Sequence, residues 1–404
     1  MLLNRERADR TLTEYNLEAL IASSPANVFY TSDLCPFGRC FTLLPREHDK
    51  EPAVVAPISA PTPIALMSIP WIRDVRYYGE FYVMTRWAKE PLTEHERNLV
   101  KAQESWEKTR EADPISILTT LLSERGITRG NIGIDESNLP YGSPIWQGIK
   151  KSLPRIDPVP AQHILQKIRT VKTDAEIQRI QEALRITEKS WGTALEQAHE
   201  GITEREFSQS YHHAVISEGG NIVSKLGMYG APIGFGRRTA FPDIASPSDY
   251  KLEDGDIIRL DGGCSYMGYA CDTGRTAVLN KPEEKLKKYY NALLAGEQKA
   301  IDMAKPGVKA STIFNAATQT VRASGLQHYA RHHTGHGWGI EGYDPPLIGP
   351  KDETPLEEGM VICFEAPYYE VGWGGPMIED AVKITQDGVQ FLTCFDRDLY
   401  VIEK

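Results

Sequence analysis

Two aspartates eleven residues apart, in Leu260–Thr276 (LDGGCSYMGYACDTGRT), constrain this chain more than any other feature. Asp261 and Asp272 flank a short turn that includes Gly268, and apolar or aromatic residues surround both. If the stretch is a β-hairpin turning between Tyr266 and Met267, the two aspartates are equally far from its midpoint and face each other. Facing residues of an antiparallel pair carry side chains ~5 Å apart. Two like charges at that spacing, partly buried, repel by about 3 kcal/mol at an effective dielectric of about 20, so the arrangement calls for a cation between them. A polar hairpin tip with both aspartates in water accounts for these residues equally well, because turns favour Asp.

A second segment changes that balance. FEAPYYEVGWGGPMIEDAV carries Glu365 and Glu379, equidistant from Gly372 across a glycine-rich bend, and HHTGHGWG between the two hairpins carries His336. Oxygen-rich ligation with one imidazole suits two hard divalent ions and does not suit a structural zinc site.

Composition excludes several classes. The 404 residues are 41% hydrophobic and 25% charged, which fits an ordinary globular chain of two domains. A net charge of -10 with a pI near 5.6 argues against nucleic acid or an anionic membrane as the main partner. The six cysteines have neither zinc-ribbon nor CxxC spacing and read as reduced thiols. The N-terminal MLLNRERADRT is charged, unlike a signal peptide, and the apolar stretch Pro52–Pro70 holds five prolines, unlike a membrane span. A cytoplasmic location is the expectation.

Along the chain, residues 1–160 alternate strand-like and helical stretches, as in an α/β domain. These include an amphipathic helix at 4–18, a strand at 19–22, a long charged helix at 95–125 and the strand NIGID at 131–135. From 161 to 404 the pattern is α+β. Thr173–Glu176 and Thr203–Glu206 read as capping boxes that open helices. Further helices read at 282–304 and 309–324, and strands at 257–263, 269–279, 333–340, 360–366 and 378–385.

Asp261, Asp272, His336 in GHG, Glu365 in FEAPYY and Glu379 in MIEDAV together resemble the five metal ligands of the methionine aminopeptidase–prolidase–creatinase superfamily. The likeness is to its Xaa-Pro aminopeptidase and Xaa-Pro dipeptidase branch, and SPANVFYTSD and LTCFDRDLYVI extend it to both ends of the chain. It implies an α+β pita-bread catalytic domain preceded by a smaller creatinase-like α/β domain. It also implies a dinuclear metallohydrolase that cuts an amide or peptide C–N bond. Asp261 would chelate one ion, Asp272 and Glu379 would bridge both, and His336 and Glu365 would complete the other, with Glu365 also relaying a proton. Manganese is the first expectation for both ions, with cobalt, zinc or iron as alternatives. The resemblance further implies a homodimer.

Three positions depart from that family's pattern. Asp243 stands where a histidine usually follows the proline of an LPH segment, and Tyr343 replaces a second histidine in GYDPP. Met377 occupies the place of a substrate-binding arginine two residues before the last ligand. Asp243 and Tyr343 are therefore candidate catalytic residues with altered roles, or bystanders in a solvated loop and a packed core. His332, on the His336 face if the strand is regular, and Arg237 and Arg238 in GFGRRTAF are candidate substrate-binding residues. The altered shell leaves two substrate classes open, a small peptide and a small nitrogenous metabolite of the kind creatine and ectoine hydrolases use. A di-iron, oxygen-activating enzyme with the same ligands is a third possibility.

Overall fold

The computed structural model describes the chain except residues 37, 60–70, 83, 85–88, 224–232, 242–246 and 404, and the side chains at 102, 105 and 109. Much of the proline-rich apolar stretch, and Asp243, therefore lie outside the described residues. Contacts divide the chain into Met1–Arg169 and Thr170–Lys404. No helix among the described residues is long and apolar enough to cross a membrane.

In the first unit, α1 (Arg5–Glu14), β1 (Leu17–Ala22), α2 (Pro25–Ser32), β2 (Phe41–Pro45), β3 (Ala53–Pro57) and β4 (Asp74–Tyr78) come in order. They are followed by α3 (Glu94–Thr109), α4 (Pro114–Glu124), β5 (Gly130–Ile134), α5 (Pro144–Ser152), β6 (Ile156–Pro160) and α6 (Gln162–Arg169). The strands form one mixed sheet in the order β4-β3-β2-β1-β5-β6. The single charged helix expected at 95–125 is two helices. Asp113 caps the second through the amides of Ile115 and Ser116, and Pro114 occupies its first turn, where no amide donor is needed. The SPAN segment has a structural task here. Ser24 caps α2, and the buried Asp135 carboxylate accepts from the Ser24 amide at 2.9 Å and the Asn27 side chain at 2.8 Å.

In the second unit the two capping boxes form as read, opening α7 (Asp174–Gln197) and α8 (Glu204–Ser217). Helices α9 (Glu284–Met303) and α10 (Ala310–Ala323) also match the reading. The strands are β7 (Ile233–Phe235), β8 (Ile257–Asp261), β9 (Ser265–Tyr266), β10 (Tyr269–Ala270) and β11 (Gly274–Leu279), then β12 (Gly335–Gly337), β13 (Asp344–Leu347), β14 (Val361–Glu365), β15 (Glu379–Ile384), β16 (Val389–Phe391) and β17 (Tyr400–Ile402). The large sheet runs β13-β12-β14-β15-β11-β8-β7, with β16 beside β15 and β17 beside β11. Ile362, Phe364, Val382 and Ile384 alternate with the acidic positions of β14 and β15, and these four pack in one core with Ile313, Phe314 and Ala317 of α10. One face of the sheet thus meets helices and carries Asp380, while Glu365 and Glu379 are left to the other.

A buried polar group lies at the start of β13. Lys172 Nζ meets Asp344 Oδ2 at 3.3 Å, and Glu176 accepts from the Tyr269 hydroxyl at 3.0 Å. Burial drives the Glu176 carboxyl up from 4.5 to about 7, against the Thr173 amide and Lys172. Folding thus favours the protonated acid, a stabilisation that is complete below about 4.5 and lost as pH climbs through about 7. Denaturant titrations should therefore show wild type losing about 3 kcal/mol relative to Glu176→Gln between those limits, and parallel pH profiles would refute it.

Candidate metal centre

The Asp261–Asp272 hairpin turns one position later than its symmetry suggested. Met267 and Gly268 both have positive φ (45° and 85°), and Tyr266 pairs with Tyr269. That is a tight hairpin turn, whose second position glycine fills without strain. Asp261 consequently faces Gly274 and not Asp272. The partner has moved by two residues, and two residues restore the same face of the pleat, so Asp272 stays on the side of Asp261. The second hairpin follows its symmetry, with Glu365 directly opposite Glu379.

Strand order then joins the hairpins. Gly274 pairs with Asp261 on one side and Glu379 on the other, so Asp261, Gly274, Glu379 and Glu365 form one row across four strands. His336 pairs with Cys363, two residues from Glu365 and on the same face. His336 Nε2 lies 3.7 Å from Asp272 Oδ2 and 3.9 Å from Glu379 Oε1. Gly274 keeps the row close, because a Cβ there would overlap the Met377 methyl and sit 3.1 Å from Glu379 Cβ. Met377 is buried, and its thioether fills the space over that glycine.

The electrostatics are those of crowded acids. Burial, reinforced by Asp272, Glu365 and Asp261, raises the Glu379 carboxyl well above its ordinary range. Burial acts the same way on its neighbour Glu365, but there the His333 hydrogen bond and the Arg331 charge outweigh it and hold the carboxyl low. Arg331 Nη2 donates to Glu365 Oε2 at 2.9 Å, and His333 Nε2 touches Glu365 Oε1. Burial lowers His336 to about 4, leaving a neutral imidazole with a lone pair to give. Asp272, His336 and Glu379 bring one donor atom each within 4.8 Å of one another, and so do His333, His336 and Glu365. Acidic and imidazole donors with a buried excess of negative charge fit divalent cations. Asp261 joins neither triad, and its Oδ2 lies 4.0 Å from Arg259 Nε.

Tyr343 stacks on His336 with ring centroids 3.9 Å apart and planes 26° apart. Tyr343 is 62% exposed, yet partial desolvation and then the charges of Glu365, Asp272, Glu379 and Asp261 raise its phenol, so it remains a donor at neutral pH. His332 does not share the His336 face, because β12 begins only at Gly335 and alternation does not extend upstream of it. His333 meets Glu365, while His332 is exposed with its ring against His333 and lines a cavity beside Arg331. Arg238 is tied to the buried Glu204 at 2.8 Å, and Arg237 is exposed. Strand alternation does not single out Arg331 and His333, both in RHHTGHG, because the chain bends there.

Residues 178–386 match metallopeptidase family M24, and residues 5–171 match the creatinase/prolidase N-terminal domain. An Xaa-Pro dipeptidase from Pyrococcus horikoshii is 34% identical over 269 residues, which is 67% of this chain and 74% of that protein. The crystal structure of the prolidase from Pyrococcus horikoshii is similar with a TM-score of 0.70 at 26% identity, covering 98% of this chain and 99% of that one. The X-Pro aminopeptidase of Thermotoga maritima shares the fold, with a TM-score of 0.74 at 21% identity over 99% of each chain. The protein is a metallohydrolase with a creatinase-type N-terminal domain and an α+β pita-bread catalytic domain. It belongs to metallopeptidase family M24.

The close row makes a specific demand on Gly274. Gly274→Ala should destabilise the protein by about 1–3 kcal/mol and weaken uptake of divalent metal. Adding Met377→Ala should recover part of both, as read by thermal melts and metal titration.

Proposed function

We propose that this protein hydrolyses the peptide bond of short Xaa-Pro peptides with two divalent ions held by Asp261, Asp272, His336, Glu365 and Glu379. The observation that carries the reading is the row Asp261–Gly274–Glu379–Glu365, with Asp272 and His336 on the same face. Relatives that are Xaa-Pro dipeptidases or peptidases support it over a metabolite hydrolase or a di-iron enzyme. The ions, when bound, supply Lewis acidity and a nucleophilic water at neutral pH. The protein's own groups do the rest. Glu365, kept ionised by His333 and Arg331, accepts the proton of the attacking water and passes it to the leaving amine as the C–N bond breaks. Tyr343 offers its hydroxyl to the negative charge that develops on the carbonyl oxygen, the part otherwise played by an imidazole. Met377 contributes an apolar wall in place of a charge. Asp243, in an undescribed segment, keeps its candidacy on sequence grounds alone.

We take the enzyme to be a cytoplasmic homodimer, with manganese the first ion to test. Free cysteines throughout the described residues agree with a reducing compartment.

Manganese should relieve the crowding of carboxylates and raise the melting temperature, by the equivalent of about 2.7 kcal/mol at a hundredfold excess over its dissociation constant. Asp272→Asn should abolish that shift, the bound metal and Xaa-Pro hydrolysis together, whereas full turnover by this variant would sink the mechanism. Tyr343→His should keep its metal, measured by elemental analysis, and change the ranking of substrates.

A further inference from the structure

Arg331 carries a charge into the site that the five expected ligands do not require. Its side chain is only 9% exposed. One N–H of Nη2 bonds Glu365 Oε2 at 2.9 Å, and Nε–H bonds the His333 carbonyl at 3.3 Å. A guanidinium has five such donors, so three remain without a partner among the described residues. Arg331 also lines a cavity of about 490 Å³, together with His332, Pro367, Tyr368 and Tyr369. That volume is in the range of small-molecule sites. The Tyr369 ring has the Arg331 guanidinium 5.8 Å from its centroid and that of Arg259 at 5.1 Å, which helps to hold the charge in place.

A planar fork with unused donors at the wall of a cavity matches a carboxylate, which it can bond in bidentate fashion. Arg238 is committed to Glu204, so it does not compete for that task. Pro367 and the Tyr368 ring offer an apolar surface beside the fork. We propose that Arg331 is the specificity-determining anchor for a carboxylate of the substrate, held in this cavity while the same guanidinium keeps its single bond to Glu365. The charge that recognises the substrate and the carboxylate that handles the proton are then set at a fixed distance. This rests on the peptidase reading for the identity of the carboxylate, which would be the free C-terminus of a short peptide.

The test compares metal-loaded wild type, Arg331→Met and Arg331→Lys on one Xaa-Pro dipeptide and its C-terminal amide. Wild type should prefer the free acid about ten- to a hundredfold in kcat/KM, mostly through KM. In Arg331→Met that ratio should collapse towards one, whatever the change does to both substrates through Glu365. Arg331→Lys, which keeps the charge and loses the fork, should retain an intermediate ratio, and it is the variant to read if Arg331→Met fails to fold. A ratio unchanged in both variants, or no preference in wild type, overturns the proposal. If wild type cleaves neither substrate, the peptidase reading fails, and calorimetry with L-proline and L-prolinamide decides the anchor separately. Binding of proline alone, lost in Arg331→Met, upholds it, and equal or absent binding of the two overturns it.

Discussion

Repulsion between acids that share one face of a sheet is the constraint around which the catalytic half is built. Glu379 lies between Gly274 and Glu365 in the register, with Asp261 and Asp272 within reach of its charge. A row of this kind is unfavourable without compensation, because burial penalises every charge and the neighbours add to the penalty. The fold therefore holds an unfavourable charge pattern that divalent cations would reverse in sign. The cost is met by rigid pairing on the opposite face. Arg275 reaches Asp380 at 2.5 Å, and Thr393 reaches the same oxygen at 2.7 Å. The strand that presents Glu379 is thus fastened by Asp380, whose side chain alternates to the other side.

The two ends of the row are treated differently. Asp272, His336 and Glu379 bring their donor atoms together at one end. Glu365 instead has a guanidinium and an imidazole on its two oxygens. That asymmetry gives the two ends of the row different electrostatic settings within a few ångströms. Desolvation and the charges of four nearby carboxylates likewise raise the Tyr343 phenol, which therefore stays protonated beside His336. A neutral donor in a field of negative charge does not need its own charge to remain a donor.

Local signals in the chain were reliable where hydrogen bonding is local. The capping boxes at Thr173 and Thr203 and the helices at 284–303 and 310–323 follow from caps and periodicity. So does the pairing of Glu365 with Glu379, because a hairpin's register is set by its own bend. Two readings failed for equally local reasons. The first hairpin turns at Met267–Gly268 because that turn needs two residues at positive φ. The helix expected at 95–125 breaks because Asp113 and Pro114 start a new one.

The amino-acid sequence by itself singled out five side chains as candidate donors, since their types and spacing about two bends are written in order along the chain. Tertiary structure alone decided that β15 would lie between β14 and β11, which turns two separate hairpins into one row through Gly274. That adjacency is a long-range choice of backbone hydrogen-bond partner, and no local periodicity encodes it. It likewise decided that His333 and Arg331, and not His332, reach Glu365. The chain bends before β12 at Gly335, and side-chain direction in a bend is fixed by its packing and not by alternation.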